Sequence, residues 1–385
     1  MGDLLASNQR IRTIELFAGI GGFRLAAEEN NLETVWANDI DSMAVKVYKS
    51  IWGDGAIVEG DIDKFIADIP EHDFLTGGFP CQPFSKAGKK QGINDYRGTL
   101  FESIVRILKE KSPRYFILEN VNSLLYMDNG ANFRTILAAL SELDYKVEWR
   151  VYNAESFGLP QHRERVIITG IKGINPTDSL LVDSTDEIIT SDTYLSKISD
   201  YHQWDVIAEK TGKFSDWGMA HKGKYISCPI TQNAYAASVK LSDILEDNVD
   251  ESFDFTKDTL ERIKNSQYVC KYYNGVQILY NQAGGARMGY SIFGVDGVSP
   301  TLTASTSRHY ERYKVGEKYR RLTNVEYARL QGFPDNYCSA ISPYNQYKYY
   351  GNAVPHQIIS HVMKRILSEQ KCTIKSSTLT LFDFL

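Results

Sequence analysis

Apolar segments suited to strands alternate with helical periodicity through the first half of this chain. The short apolar segments lie at residues 12–17, 34–38, 56–59, 73–77, 115–119, 147–153 and 166–169. Segments with helical periodicity fall between them, at residues 21–30, 43–51, 100–111 and 132–143. Strands that are apolar throughout are typical of sheets covered on both faces. Alternation of such strands with helices indicates a doubly wound, mostly parallel sheet. We therefore predict an α/β fold with a Rossmann-like sheet.

The pattern loosens after residue 173. Residues 178–200 are rich in Ser, Thr and Asp, and Gly, Tyr and Asn are scattered through residues 210–306. This composition predicts a smaller, loop-rich domain with short strands. Helical periodicity returns at residues 323–332 and 354–368.

Composition limits the class of protein without naming a function. The 385 residues carry a net charge of −5, which argues weakly against a nucleic-acid partner. Residues 308–321 nevertheless hold six Lys or Arg against two Glu, so a local basic surface is expected. The five cysteines are scattered, with no pair at metal-ligand spacing, which fits a reducing compartment and no structural metal. With no apolar leader or spanning segment, we expect a cytoplasmic protein without a membrane partner.

Reactive side chains follow three of the predicted strands. Cys81 lies in Gly-Phe-Pro-Cys-Gln-Pro-Phe-Ser at residues 78–85, Glu119 ends another apolar segment, and Arg163 and Arg165 open a third. Open α/β sheets expose reactive groups at such strand ends. Each residue has an ordinary alternative: a buried structural thiol, a helix cap or ion-pair partner, and a solvated surface pair. Together they suit a thiolate that attacks an electron-poor ring, an acid that holds the ring, and a pair of arginines that holds a phosphate.

A glycine-rich turn follows the first strand. Phe17-Ala18-Gly19-Ile20-Gly21-Gly22 opens the first helix, as in nucleotide-binding turns, although Arg24 stands near the place of the third glycine. Asp39 lies about 20 residues further on, where an acid commonly binds ribose hydroxyls. Asp61 follows the third strand and is placed to accept from an adenine amino group. A nicotinamide site would explain the glycines. It would leave Cys81 unexplained, and also Asn352 in Gly351-Asn352-Ala353-Val354 near the other end of the sequence.

The order and spacing of these motifs resemble the DNA (cytosine-5)-methyltransferase family, in its compact bacterial or phage form. The shared motifs include the Cys81 segment, Glu119-Asn120-Val121, Gln161-His162-Arg163-Glu164-Arg165, residues 320–334 and Gly351-Asn352-Ala353-Val354. The family often has Glu where this chain has Asp39. Only residues 175–295 lack a pattern that can be matched. The resemblance implies a methyltransferase that uses S-adenosyl-L-methionine (AdoMet), releases S-adenosyl-L-homocysteine and needs no metal.

The resemblance also implies a division of the chain and the roles of its residues. It implies a catalytic domain at residues 1–175, a target-recognition domain at 176–319, and a segment at 320–385 that packs back onto the first domain. The implied catalytic residues are Cys81, Glu119, Arg163 and Arg165. The implied cofactor-binding residues are Phe17, Ala18, Gly19, Gly21, Gly22, Asp39, Ile40, Asp61, Ile62, Pro80, Leu100, Asn352 and Ala353. Cys81 would attack C6 of cytosine while Glu119 holds the ring.

A cytosine within a duplex must be flipped out before a thiolate can reach C6. Residues 85–99 are rich in Gly and Lys, and we expect them to form a loop that closes over the flipped base. The residues expected to contact DNA are Gln82, Ser85, Lys86, Lys89, Arg97, Arg287 and Arg308. The expected partner is double-stranded DNA, with a monomeric enzyme near the nucleoid of a prokaryotic cell and a restriction endonuclease acting separately. A tRNA methyltransferase and a silent DNA-binding homologue are the alternatives.

Overall fold

The computed structural model describes residues 10–80, 100–183, 185–281, 291–302, 311–368 and 372–373. Its strands form one ten-stranded sheet, one five-stranded sheet and a two-stranded pair. The strands of the large sheet are β1 (Arg12–Leu16), β2 (Glu33–Asp39), β3 (Val58–Glu59), β4 (Phe74–Gly78), β5 (Tyr115–Val121), β6 (Lys146–Asn153), β7 (Glu164–Ile171), β9 (Asp205–Val206), β10 (Trp217–His221) and β11 (Lys224–Cys228). The pair joins β8 (Asp178–Ser179) to β17 (Cys372–Thr373).

The large sheet is parallel in one half and antiparallel in the other. Its order is β3-β2-β1-β4-β5-β7-β6-β10-β11-β9. Pairings from β3 to β5 are parallel, and every pairing from β5 to β9 is antiparallel. The predicted α/β class is confirmed, whereas the prediction of a mostly parallel sheet is wrong. Strands β6 and β7 are joined by residues 154–163 without a crossover helix, so they pair as antiparallel neighbours.

Helices cover both faces of this sheet, as a doubly wound fold requires. The helices are α1 (Gly22–Glu29), α2 (Ser42–Trp52), α3 (Leu100–Lys111), α4 (Ala131–Ser141), α5 (Asp192–Ile198), α6 (Lys257–Lys264), α7 (Asn324–Leu330), α8 (Pro343–Asn352) and α9 (His356–Leu367). Phe116 and Leu118 of β5 pack with α3 and α4, while Tyr115 and Ile117 pack with α1 and α9. Alternate residues of a strand point to opposite faces, so this strand serves two apolar layers. None of the described helices is long and apolar enough to cross a membrane.

Three strands of the large sheet come from beyond residue 176. Strand β10 pairs with β6, and β11 and β9 continue the sheet outward. Trp217 and Met219 of β10 are fully buried. Our prediction that residues 147–153 and 166–169 complete the sheet is therefore wrong, because β9, β10 and β11 extend the sheet beyond β6. The reason is apolar burial: a strand whose side chains are this apolar must be covered, and the edge of β6 offers a partner for its backbone.

The smaller sheet lies later in the chain. Its strands are β12 (Gln267–Tyr273), β13 (Val276–Asn281), β14 (Ser291–Phe293), β15 (Arg312–Val315) and β16 (Lys318–Arg320). Asn274 and Gly275 connect β12 and β13 with φ values of 48° and 72°, as a tight hairpin turn requires. Arg320 does not contribute to the basic surface expected of residues 308–321. Its side chain is buried, and its guanidinium donates to both carboxylate oxygens of Glu326 at 2.7 Å.

The chain then returns to the first sheet. Helix α9 packs against α1, with Ile358 and Ile359 in the same apolar cluster as Phe23 and Ala26. The segment just before α9 also touches the start of α1. A Cβ atom added to Gly22 would lie 2.7 Å from the carbonyl oxygen of Val354. Only a glycine permits this approach, so Gly22 and residues 351–354 form one wall together.

Candidate active site

The strand ends that carry the predicted reactive residues meet at one edge of the large sheet. Gly78, three residues before Cys81, pairs with Glu119 on β5, and Val121 pairs with Arg165 on β7. Because β7 is antiparallel to β5, its first residues lie beside the last residues of β5. The sheet therefore brings Glu119 and the two arginines together although they are distant in sequence.

A cavity of about 360 Å³ opens at this edge. Its volume lies within the range of small-molecule sites. It is bounded by the glycine-rich turn, the ends of β2, β4 and β5, the start of β7 and the end of α8. The predicted residues in its wall are Phe17, Ala18, Gly19, Gly22, Asp39, Pro80, Glu119, Arg163, Arg165, Asn352 and Ala353. Predicted cofactor residues and predicted catalytic residues thus share one cavity.

The glycine-rich turn is held in an unusual backbone conformation. Phe17 has a φ of 53°, which is uncommon for a residue with a side chain. Gly21 has a φ of 89° and precedes the first turn of α1. Such conformations persist where the surrounding structure enforces them, and they concentrate at binding sites. The turn therefore presents backbone groups at the start of α1 to the cavity.

Asp39 anchors this turn from the end of β2. Its carboxylate accepts the N–H of Gly19 at 2.7 Å with one oxygen and the N–H of Asp41 at 2.8 Å with the other. Burial raises the pKa of Asp39, although these hydrogen bonds oppose the shift. Each carboxylate oxygen has a further lone pair that can accept from a hydroxyl group in the cavity. An adjacent pair of ribose hydroxyls fits this arrangement.

Glu119 and Arg165 form a buried ion pair. The Nε of Arg165 lies 2.8 Å from Oε1 of Glu119, and both side chains are about nine-tenths buried. Burial raises the pKa of Glu119, and the charges of Arg165 and Arg163 only partly offset this effect. A carboxyl group in this state can carry a proton and donate a hydrogen bond. Arg165 fixes the orientation of that carboxyl group.

Arg163 lies deeper and does not face solvent. Its side chain is 1% exposed and donates to the carbonyl oxygens of Leu302 (3.3 Å), Gly351 (3.0 Å) and Ala353 (2.9 Å). Our first interpretation of the two arginines as phosphate ligands does not fit this burial for Arg163. Arg163, which immediately precedes β7, instead connects the start of this strand to residue 302 and to the end of α8.

Sequence reasoning missed three residues with polar side chains in the wall of this cavity. Asn120 donates from Nδ2 to the carbonyl of Phe79 at 2.8 Å and so fixes the backbone two residues before Cys81. Asp41 and Tyr349 lie in the cavity wall and are joined by a hydrogen bond of 2.7 Å. Asn120 belongs to the motif Glu119-Asn120-Val121, so the sequence does carry a signal for this residue. The contact between Asp41 and Tyr349 spans 308 residues and has no local signal.

Other predicted cofactor residues lie beside the cavity or away from it. Ile40 is 70% exposed between the two wall residues Asp39 and Asp41. Gly21 is the N-cap of α1 and Leu100 is the first residue of α3. Asp61 is exposed and accepts from the N–H of Asp63, while Ile62 is buried in the apolar core. The last two do not line the cavity, so their predicted contacts with the cofactor stay predictions.

Several predicted residues lie outside the described part of the chain. These are Cys81, Gln82, Ser85, Lys86, Lys89, Arg97, Arg287 and Arg308. Pro80, which immediately precedes Cys81, does line the cavity. In the described residues no group of three or more His, Cys, Asp or Glu could hold a metal ion.

The sequence matches the family described as C-5 cytosine-specific DNA methylase over residues 11–368. The chain belongs to this family. It is therefore an AdoMet-dependent enzyme that methylates C5 of cytosine in DNA. The glycine-rich turn, the paired acceptors of Asp39 and the cavity volume all fit the cofactor of this family.

Individual methylases show the same relationship. The Type II methyltransferase M1.ScrFI of Lactococcus lactis subsp. cremoris is 35% identical over 366 residues, which cover 93% of this chain and 78% of that protein. The Type II methyltransferase M.SsoII of Shigella sonnei is 34% identical, with 94% and 81% covered. Among solved structures, the S. pombe Dnmt2 methyltransferase superposes with a TM-score of 0.59 at 18% identity, covering 94% of this chain and 99% of that one. The last similarity concerns the fold alone.

Proposed function

We propose that this methylase modifies one cytosine within a short specific sequence of double-stranded DNA, through a covalent adduct with Cys81. The observation that carries the proposal is the shared cavity, where Asp39, Glu119 and Arg165 meet beside Pro80. A site for a nucleoside cofactor and a site for an aromatic ring are thereby adjacent.

The cofactor side of the cavity is assigned to four residues. Asp39 would accept from the ribose hydroxyls, and the exposed side chain of Ile40 would cover one face of the adenine. Gly19 and Asn352 complete the wall on either side. When bound, AdoMet supplies an electrophilic methyl group. The remaining steps depend on side chains of this chain.

The cytosine side is assigned to Cys81 and Glu119. The Cys81 thiolate adds to C6, and the electrons of the C5–C6 bond then make C5 nucleophilic. Glu119 donates its proton to N3 and accepts from the exocyclic amine, which makes C6 more electrophilic. After C5 has taken the methyl group, loss of the C5 proton restores the double bond and expels the thiolate. Arg165 holds Glu119 in place, and Asn120 holds the backbone that leads to Cys81.

The recognition of DNA is assigned to the smaller sheet and the residues around it. We propose a catalytic domain that includes residues 1–175 and strands β9 to β11, with the small domain after them and ending near residue 319. Residues 320–385 return to the catalytic domain. Residues 282–290 and 303–310, which hold Arg287 and Arg308, follow β13 and precede β15, and we assign base contacts to them. Closure by residues 85–99 would hold the flipped base.

We also propose a cellular setting. The names of the Type II relatives support a role in restriction and modification, with a separate endonuclease that cuts the same sequence. The enzyme would act as a monomer in the cytoplasm, close to the nucleoid. No metal is needed in this proposal, because the thiolate and Glu119 activate the ring.

The first test is transfer of labelled methyl groups from AdoMet to mixed duplex DNA and, separately, to total tRNA, with bisulfite sequencing of the DNA. We expect 5-methylcytosine at one short motif. Label in tRNA alone would contradict the assigned substrate, and binding of AdoMet without transfer would indicate a silent homologue.

The second test addresses the covalent step. Cys81→Ser should reduce methyl transfer to background, and Glu119→Gln should reduce the single-turnover rate by about 10²–10⁴-fold, as loss of an acid catalyst does. Cys270→Ser is the matched control, since Cys270 is an exposed free thiol of the small domain. With AdoMet present, a duplex with 5-fluorocytosine at the target should trap the wild-type adduct, because C5 then carries fluorine in place of the proton whose loss expels the thiolate. Substantial methylation by Cys81→Ser would rule out this route.

A further inference from the structure

Asp41 connects the turn after β2 to helix α8 beside the cofactor cavity. Its Oδ1 accepts from the hydroxyl of Tyr349 at 2.7 Å, and its Oδ2 accepts from Nζ of Lys348 at 2.8 Å. The same carboxylate caps helix α2 by accepting the N–H groups of Met43 at 3.0 Å and Ala44 at 3.3 Å. We call Asp41, Lys348 and Tyr349 the Asp41 latch.

The latch connects two walls of one cavity. Asp41 donates its backbone N–H to Asp39, whose other carboxylate oxygen holds Gly19. Tyr349 lies on α8, which ends at Asn352, and both of these residues line the cavity. A continuous set of hydrogen bonds therefore runs from the glycine-rich turn through Asp39 and Asp41 to α8.

Capping alone does not account for these contacts. An N-cap aspartate needs only the N–H groups of its own helix, and Met43 and Ala44 already supply them. The two donors from α8 add a connection to a distant part of the sequence. Lys348 lies 307 residues from Asp41, and Tyr349 lies 308 residues from it. The position of Ile40, exposed between Asp39 and Asp41, depends on the same turn. A binding site gains affinity when such contacts fix its walls before the ligand arrives.

We propose that Lys348 and Tyr349 are positioning residues for the cofactor. They hold the Asp39–Asp41 turn at a fixed distance from α8, so that the groups facing the adenosine part of the cofactor are preorganised. The inference rests on the proposed function of this cavity. It assigns to the latch an effect on cofactor affinity, and none on the chemical step or on DNA affinity.

The test compares two tyrosines of α8. Tyr349→Phe removes the hydroxyl that reaches Asp41, whereas Tyr347→Phe removes a hydroxyl that donates to the carbonyl of Leu322 at 2.9 Å, away from the cavity. Calorimetry with S-adenosyl-L-homocysteine should show a Kd about three- to tenfold higher for Tyr349→Phe, the usual effect of one lost hydrogen bond. Tyr347→Phe should leave that Kd within about twofold of wild type.

Kinetics and a double variant complete the test. Tyr349→Phe should raise the KM for AdoMet by the same factor, with kcat and the Kd for duplex DNA unchanged. In an Asp41→Ala background, which removes the acceptor of the Tyr349 hydroxyl, Tyr349→Phe should have a smaller effect than it has alone. Lys348→Met should move the same quantities in the same direction.

Two outcomes would overturn the inference. One is an unchanged cofactor Kd and KM in folded Tyr349→Phe, and the other is an equal change in Tyr347→Phe, which would indicate general damage to α8. If the unaltered protein failed to bind S-adenosyl-L-homocysteine at all, the proposed function itself would fail, and the inference with it.

Discussion

At the scale of single residues, the buried carboxyl group of Glu15 is hydrogen-bonded to Phe23, which lines the cavity. It is 1% exposed and accepts from the N–H of Phe23 at 3.1 Å and the hydroxyl of Tyr48 at 2.9 Å. Burial raises the pKa of Glu15 to about 8. Between the unfolded pKa and this value, the folded protein retains a proton that the unfolded chain loses. Glu15 therefore lowers the free energy of unfolding as the pH rises across this interval.

Replacing Glu15 by Gln should remove this dependence. Relative to wild type, the unfolding free energy of Glu15→Gln should increase from about pH 5 to about pH 8 by up to about 1.4 kcal/mol per pH unit, and then level off. Urea denaturation at several pH values measures the difference. Glu33→Gln, at an exposed glutamate that begins β2, is the control and should show no such trend. Parallel pH curves for wild type and Glu15→Gln would contradict the assignment.

At the scale of elements, the contact between α1 and the segment before α9 depends on the absence of a side chain at Gly22. A Cβ atom there would lie 2.7 Å from the carbonyl oxygen of Val354, which belongs to the backbone and cannot rotate away. Gly22→Ala should destabilise the protein by about 1–3 kcal/mol, as overpacking does, and weaken binding of S-adenosyl-L-homocysteine. Gly55→Ala has open space around its Cβ and serves as the control in thermal unfolding and calorimetry. Equal behaviour of the two variants would refute the argument.

The sequence indicated most of the elements and much of the site. The strands of the first half and the glycine-rich turn have strong local signals. An apolar segment must be buried, and glycines permit a tight turn, whatever the rest of the chain does. Strand β10 was missed because its burial depends on the edge of β6, which no local pattern reveals. Tyr349 was missed for the same reason, since its partner Asp41 is remote in sequence. Arg320 was interpreted as a surface cation because nothing local indicates that Glu326 will meet it.

At the scale of the whole molecule, Arg320 and Glu326 connect the small sheet to the returning segment. The pair is buried and bidentate, and Glu326 also accepts the N–H groups of Thr323 at 2.8 Å and Glu246 at 3.0 Å. Arg320→Met would leave this carboxylate without its cation, which should cost about 3–5 kcal/mol. The KM for DNA should rise while the Kd for S-adenosyl-L-homocysteine stays near wild type.

The matched control is Lys318→Met on the same strand. Lys318 makes an exposed contact of 3.9 Å with Asp254, so its loss should cost less than about 1 kcal/mol. Urea denaturation of both variants measures the contrast. If Arg320→Met were as stable as Lys318→Met, the connection between the small sheet and α7 would not depend on this pair.

The close approach of Gly22 to Val354 sets an order of events during translation. The glycine-rich turn leaves the ribosome early, whereas the opposite wall of its pocket is among the later parts of the chain to be made. A nascent chain that has reached residue 330 contains Cys81, Glu119 and both arginines but lacks residues 349–354. Such a chain lacks the wall of the cavity that residues 349–354 form. Synthesis must therefore pass Val354 before the enzyme can bind its methyl donor. Chains truncated by a premature stop codon upstream of α8 should therefore show no methylation activity.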